Sequence, residues 1–262
     1  MSRRDLLGWI MVHSSARNSK LSLISEESEL SIKGKIQAIS NYFEIGSIQP
    51  DYTYIENIKD GRGYTVTQYG FCTYIPEVTT IIEKLLDVSP GSPLRTFVPL
   101  LPPLGDGIDM DKLSDFPKTW RREARNSELL PRICDDVADA LLYRPALALS
   151  TKAYIRSPIG LAIFYDTLLQ HGNDTDADSF GSIYAGAEKE TGGVLNSSET
   201  AFLSAFLKIR RSVLLAPSNE NTTSVWRSSS TRVEALRRLL RMNPSLTQPI
   251  SIWHSGIEQI VF

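Results

Sequence analysis

Residues 159–172, IGLAIFYDTLLQHG, are apolar on nearly every side and carry a single acidic residue, Asp166. A helix that is hydrophobic all round cannot lie on a surface, so this segment has to be a core around which other elements pack. The 262 residues are enough for a sizeable core, in one large domain or in two lobes sharing a cleft. Asp166 is the informative exception, because a carboxylate inside such a helix is expensive unless an arginine or a hydrogen-bond network meets it. Pro158 follows Ser157 and is placed to start this helix or to kink a longer one over about 145–170. His171 stands at its end beside Gly172, where it can cap the helix or face its dipole.

The enclosing elements are legible in part. Residues 1–32 read as an arm or leader, because 17–32 are polar and rich in serine. A globular part is expected over 33–262. From Lys33, the residues Ile36, Ile39, Tyr42 and Phe43 recur on one helical face. Residues 52–58, YTYIENI, fit either a helix start or a short strand. KDGRGYTVTQYGF fits a glycine turn leading into paired strands. Val78, Ile81, Ile82, Leu85 and Leu86 form a helical stripe that ends near Pro90 and Gly91, and 90–110 read as a surface connection. A further helix is expected over 128–142. The stretch 171–198 reads as a loose polar excursion flanking a groove. Asn196-Ser-Ser-Glu199 and Thr231-Arg-Val-Glu234 resemble capping boxes opening two more helices. Trp253, in the tail, is expected to pack back on the body. The fold class is therefore mainly α with one small extended element.

Composition excludes several functions. With 42% apolar and 22% charged residues the chain is an ordinary globular protein, and 30 acidic against 28 basic residues give no global field for nucleic acid. No stretch reaches a membrane-spanning length. Three histidines and two cysteines, Cys72 and Cys134, draw no metal motif, and the cysteines leave one disulfide, two buried thiols or a mixture open. The opening MSRRDLLGWIMVHSSA imitates a secretory signal, although Asp5 interrupts it and its apolar run is short.

Two carboxylates stand out. Glu44 falls at the C-terminal end of the first helix, where the dipole and the neighbours Tyr42 and Phe43 disfavour its charged form. Asp60 falls in a glycine-punctuated turn near Arg62, which favours its charged form. A protonated and an ionised carboxylate facing one another meet the requirement of glycoside hydrolysis, with Glu44 as acid and Asp60 as base. Asp-Gly turns and helix-end glutamates also occur without any chemistry, and the pattern alone names no substrate.

The run ENIKDGRGYT, with the GFCT segment after it, resembles the chitosanases of glycoside hydrolase family 46. The similarity extends through FYDTLLQHG, ETAFLSAFLKIR, STRVEALRRLL and the IW of the tail. The resemblance implies a lysozyme-like, mainly α-helical fold of two lobes with a small β-hairpin element and a central cleft. It implies endo-acting, inverting hydrolysis of β-1,4 bonds between glucosamine units of chitosan, without metal or organic cofactor. Glu44 would be the general acid and Asp60 the general base. Arg62 would be the turn arginine, and Thr65 would hold the attacking water. Inversion leaves room for that water, so a separation of roughly 6.5–9.5 Å between the carboxylates is expected. The resemblance also gives Asp166 a place in an arginine–carboxylate network with Arg210 and Arg232, the plain alternative being a buried salt bridge between lobes.

Chitosan is a polycation, so acidic subsites are expected. Glu56, Glu77 and Glu220, with Asp166 as a further candidate, could face its amines, and Tyr54 or Tyr64 could stack on a sugar. Glu77 replaces an aspartate that is usual in the family, and VTQY after Thr65 replaces glycines and small aliphatics. Family habit favours secretion, and with it a disulfide. The expected partner is chitosan or a chito-oligosaccharide, bound by a monomer, with no nucleic acid and no membrane. The alternatives are a hydrolase of another amino-sugar polymer, such as partly acetylated chitosan, chitin or peptidoglycan, and a non-catalytic glycan-binding protein.

Overall fold

The structure, a computed structural model, describes residues 20–57, 59, 63–101, 109–174, 176–218, 223–247, 250–254 and 257–260. They divide into two compact units: one is Glu44–Leu141, and the other is the chain up to Phe43 together with the chain from Leu142 onward.

The second of these is organised by α6 (Pro158–His171), which is buried along almost its whole length, as its all-round apolar sequence requires. Ser157 caps it by accepting from the Gly160 amide at 3.1 Å, and Pro158 fills its first turn, where no amide partner is needed. The helices α5 (Arg144–Lys152), α7 (Phe180–Thr191) and α10 (Ser230–Met242) pack on α6, while α8 (Glu199–Leu215) packs on α7 and α10, with the short α9 (Thr223–Ser228) against α8 and α10. Their core is an aromatic cluster in which Phe164 lies 4.9 Å from Phe180 and 5.1 Å from Phe206, centroid to centroid. A hairpin of β4 (Ser251–His254) and β5 (Ile257–Ile260) lies against α10 through β4, with Ile252 buried. The helix α1 (Lys20–Ile45) contributes the buried Ile36 and Ile39, matching the periodicity read from the sequence.

The other unit holds a three-stranded antiparallel sheet of β1 (Ile55–Glu56), β2 (Thr65–Val66) and β3 (Phe71–Cys72). Around it stand α2 (Pro76–Val88), α3 (Phe116–Asn126) and α4 (Leu129–Ala138). A 3-10 segment, Pro93–Leu100, contributes the buried Leu94 and Phe97, the latter edge-on to Phe116 at 5.2 Å. The sequence reads this region as a surface connection carrying its own small hydrophobic anchor.

Several expectations are corrected. The stretch read as loose contains α7, whose glycines disguise it. A Cβ on Gly186 would lie 2.9 Å from Ile209 of α8, so glycine there allows two helices to approach. The helix α3 was missed because its apolar stripe is three residues wide, Phe116, Trp120 and Ala124, in an otherwise polar run. The backbone of residues 20–32, assigned to an arm, is helical, since adding residues to a helix already fixed by packing costs far less than nucleating one. The two boxes are not formed as read. Ser198 alone caps α8, and Glu199 instead accepts from the amides of Arg156 and Ser157, each at 2.9 Å. The helix α10 begins at Ser230, ahead of Thr231. Trp253 does not pack back but is half exposed. Cys72 and Cys134 are both buried thiols, so the disulfide that the sequence left open is not formed.

Candidate active site

Glu44 sits in the last turn of α1, as its position in the sequence implied. The helix stops there because Gly46 takes a left-handed backbone, φ +68°, that lets the chain leave the helical path without Cβ strain. Tyr42 is buried and Phe43 half-buried, but Glu44 itself is exposed.

The chain then runs into β1. In the β1–β2 register Glu56 stands directly opposite Thr65, so the two side chains share a face of the sheet. Tyr54 joins them: burial, a hydrogen bond to Glu56 and the neighbouring charges of Glu56 and Glu44 all push its phenol above the ordinary value. Four candidate residues from separate elements, Glu44, Tyr54, Glu56 and Thr65, are thus brought within electrostatic or cross-strand reach of one another. An exposed, largely acidic surface with a tyrosine suits a cationic carbohydrate.

Asp60, Arg62 and Glu220 lie outside the described residues. On either side of residues 60–62 the backbone is left-handed at Lys59 and Gly63, φ 59° and 76°, and the Asn57 side chain accepts from the Lys59 amide at 2.8 Å. Tyr64 is stacked on Phe116, ring centroids 6.0 Å apart, which commits one face of the ring to the fold. Glu77 lies in the first turn of α2 and is 7% exposed, much more enclosed than a residue read as a substrate contact.

The supporting network is present within the unit built on α6. The Asp166 carboxylate pairs with Arg210 at 2.7 Å and with Arg232 at 2.7 Å, and all three side chains are buried. Burial opposes the charge on Asp166, but the guanidiniums of Arg232 and Arg210 outweigh it and hold the carboxyl down to about 2. Ser40 of α1 donates to the same carboxylate at 3.1 Å, and the Arg232 guanidinium lies 5.2 Å over the Phe43 ring.

Sequence reasoning missed how far this network reaches. His171 is enclosed by Arg210, whose Nε donates to its Nε2 at 3.3 Å, and its Nδ1 lies 2.8 Å from the Asp178 carbonyl. Burial, reinforced by the Arg210 charge, lowers its pKa to about 3, so the ring is neutral. Arg210 also donates to Gln170 at 2.7 Å. Helical spacing held a signal for Ser40, four residues before Glu44 on α1. No such signal existed for His171, whose partners come from other elements. Among the described residues no group of three or more His, Cys, Asp or Glu is arranged to hold a metal.

The profile of glycosyl hydrolase family 46 matches residues 38–250. A chitosanase of Bacillus subtilis (strain 168) is 32% identical over 225 residues, covering 84% of this chain and 81% of the relative. Among solved structures, a Gynuella sunshinyii GH46 chitosanase in complex with chitotetraose superposes with a TM-score of 0.81 at 29% identity, covering 87% of this chain and 96% of that one. A mutant chitosanase from Bacillus subtilis MY002 complexed with 6 GlcN gives a TM-score of 0.82 at 30% identity, covering 88% and 98%. The chain belongs to glycosyl hydrolase family 46, and its fold is the mainly helical, lysozyme-like fold of that family's chitosanases.

Proposed function

We propose that this protein hydrolyses β-1,4-glucosaminidic bonds within chitosan, with Glu44 as general acid, Asp60 as general base and inversion at the anomeric carbon. Glu44 gives its proton to the glycosidic oxygen as the C1–O bond breaks. Asp60 takes a proton from a water that attacks C1 from the opposite face, and Thr65 holds that water. Arg62 keeps Asp60 anionic. A β-linked substrate then yields an α product. Tyr54, Glu56, Tyr64 and Glu220 contact the cationic chain, and the Asp166–Arg210–Arg232 network fixes α1 behind Glu44.

The observation that carries this reading is the gathering of Glu44, Tyr54, Glu56 and Thr65 at one acidic face in a chain whose relatives are chitosanases. The test is reducing-end release from highly deacetylated chitosan by wild type, Glu44→Gln and Asp60→Asn, with NMR of the first anomer formed. Turnover lost in both folded variants, and the α-anomer appearing first from wild type, is expected. A wild type that prefers highly acetylated polymer would redirect the substrate assignment. A β-anomer would overturn inversion.

A further inference from the structure

Asp135 of α4 is a carboxylate that neither the family resemblance nor the acid–base chemistry uses. The Tyr52 hydroxyl donates to both of its oxygens, at 2.8 Å each, and the Tyr69 hydroxyl donates to Oδ1 at 2.7 Å. Tyr52 lies just ahead of β1, and Tyr69 lies in the turn that joins β2 to β3. One carboxylate therefore clamps the sheet at two places far apart along its path. Burial and the Asp135 charge push the Tyr52 phenol well above its ordinary value, so it stays a donor at every working pH.

The same segment is held from α3 as well. Trp120 Nε1 donates to the Tyr52 carbonyl at 2.9 Å, and Arg121 donates to the Ile55 carbonyl at 2.8 Å. The sheet itself is too short to fix its own orientation, since each strand is two residues long. Its position is set by what grips it from outside. Two phenylalanines would satisfy packing here, whereas two phenols converging on one charge also fix where the backbone stands. Tyr54, Glu56 and Thr65 are carried directly on that backbone.

We propose that Asp135 is a positioning residue for the reaction: through Tyr52 and Tyr69 it sets where β1 and β2 hold Tyr54, Glu56 and Thr65 against substrate and water. This rests on the reading of the Glu56–Thr65 face as part of the active site. Side-chain displacements of well under an ångström lower turnover more than binding when the reacting geometry is affected.

The test compares wild type, Asp135→Asn, Tyr52→Phe, Tyr69→Phe, the double phenylalanine variant and its combination with Asp135→Asn. Steady-state kinetics on deacetylated chitosan are taken well below each melting temperature, and folded fraction is checked by near-ultraviolet circular dichroism. Asp135→Asn and the double phenylalanine variant are each expected to lower kcat about tenfold, with KM within roughly twofold. Adding Asp135→Asn to the double variant should cause no further loss, because the carboxylate acts only through the phenols. Unchanged kcat per folded molecule, with only a lower melting temperature, would reduce Asp135 to a structural tie and overturn the proposal. Fully additive losses would overturn it too. If Asp135→Asn does not fold, the single phenylalanine variants, which keep the rings, decide the matter by the same kcat criterion. Glu44→Gln and Asp60→Asn, run alongside, separate this outcome from failure of the acid–base assignment, which they alone address.

Discussion

Ser40 donates to the Asp166 carboxylate at 3.1 Å, one helical turn ahead of Glu44 on the same helix. The buried ion network is therefore tied to the very helix that ends at the proposed acid. With Arg232 over Phe43, it reaches α1 at two points within its last two turns. A buried charge that would otherwise be only costly thus holds the helix end in one place.

Asp166→Asn keeps the shape and removes the charge, leaving Arg210 and Arg232 buried without their anion. A loss of about 3–5 kcal/mol is expected, read from urea unfolding. A cost below about 1 kcal/mol would show that the two arginines are not compensated mainly by Asp166.

Acid should destabilise the protein in two stages. His171 has its folded pKa lowered to about 3 from 6.5, so its contribution is fully present above the ordinary value and is lost progressively as pH falls from there towards 3. Asp166, held down to about 2 from 3.8, contributes above its ordinary value and loses that contribution as pH falls through about 2. Between about pH 6 and 4, the His171→Gln variant should show a shallower fall in unfolding free energy than wild type, by up to about 1.4 kcal/mol per pH unit. Identical slopes in the two proteins would mean that His171 is not held neutral by the fold.

Tyr154 occupies the left-handed position after α5, φ 58°, with the Ile155 amide bonded to the Ser150 carbonyl at 2.9 Å and its own amide to the Thr151 carbonyl at 3.1 Å. This is a Schellman ending with tyrosine where glycine is preferred. Because the side chain is half exposed, Tyr154→Gly should gain roughly 0.5–1 kcal/mol, seen as a higher melting temperature. A lower melting temperature would show that the ring packs more favourably than its exposure implies.

Gly160 has no room for a methyl group: a Cβ there would run into Ile155 Cγ2 and stand 3.2 Å from both Glu199 Oε1 and Leu203 Cδ1. Gly160→Ala should cost about 1–3 kcal/mol by crowding the junction of α6 with α8. In an Ile155→Ala background, which lacks Cγ2, Gly160→Ala should cost measurably less than in the wild type in the same melts. An equal cost in both backgrounds would place the crowding at Glu199 or Leu203.

Thr65 is opposite Glu56 and is the described residue assigned to the attacking water. Thr65→Val should lower kcat about tenfold or more with little change in KM, and Thr65→Ser should retain most of the activity. Equal activity of the valine variant would remove Thr65 from the water site.

The legibility of this chain follows the range of the interactions. The buried helix over 159–171, the need of Asp166 for arginines, and the helix end at Glu44 were all readable, because periodicity and burial cost act along a single element. Helix α3 and helix α7 were not, since a three-residue stripe and a glycine-rich face acquire meaning only against Phe97, Tyr64 or Ile209 from elsewhere in the chain. Glu77 reads as a carboxylate facing substrate yet is buried, and Trp253 reads as packing back on the body yet is half exposed, because neither pattern states what covers it.

What the sequence by itself determined is local and chemical: a mainly helical chain, a carboxylate at a helix end, and a core helix with one charge to neutralise. Tertiary structure alone decided the partners, bringing Ser40, Arg210 and Arg232 to Asp166, His171 to Arg210, and Tyr52 and Tyr69 to Asp135. The reason is physical: periodicity is fixed by the geometry of one element, whereas the partners of a buried charge are fixed by which elements pack together.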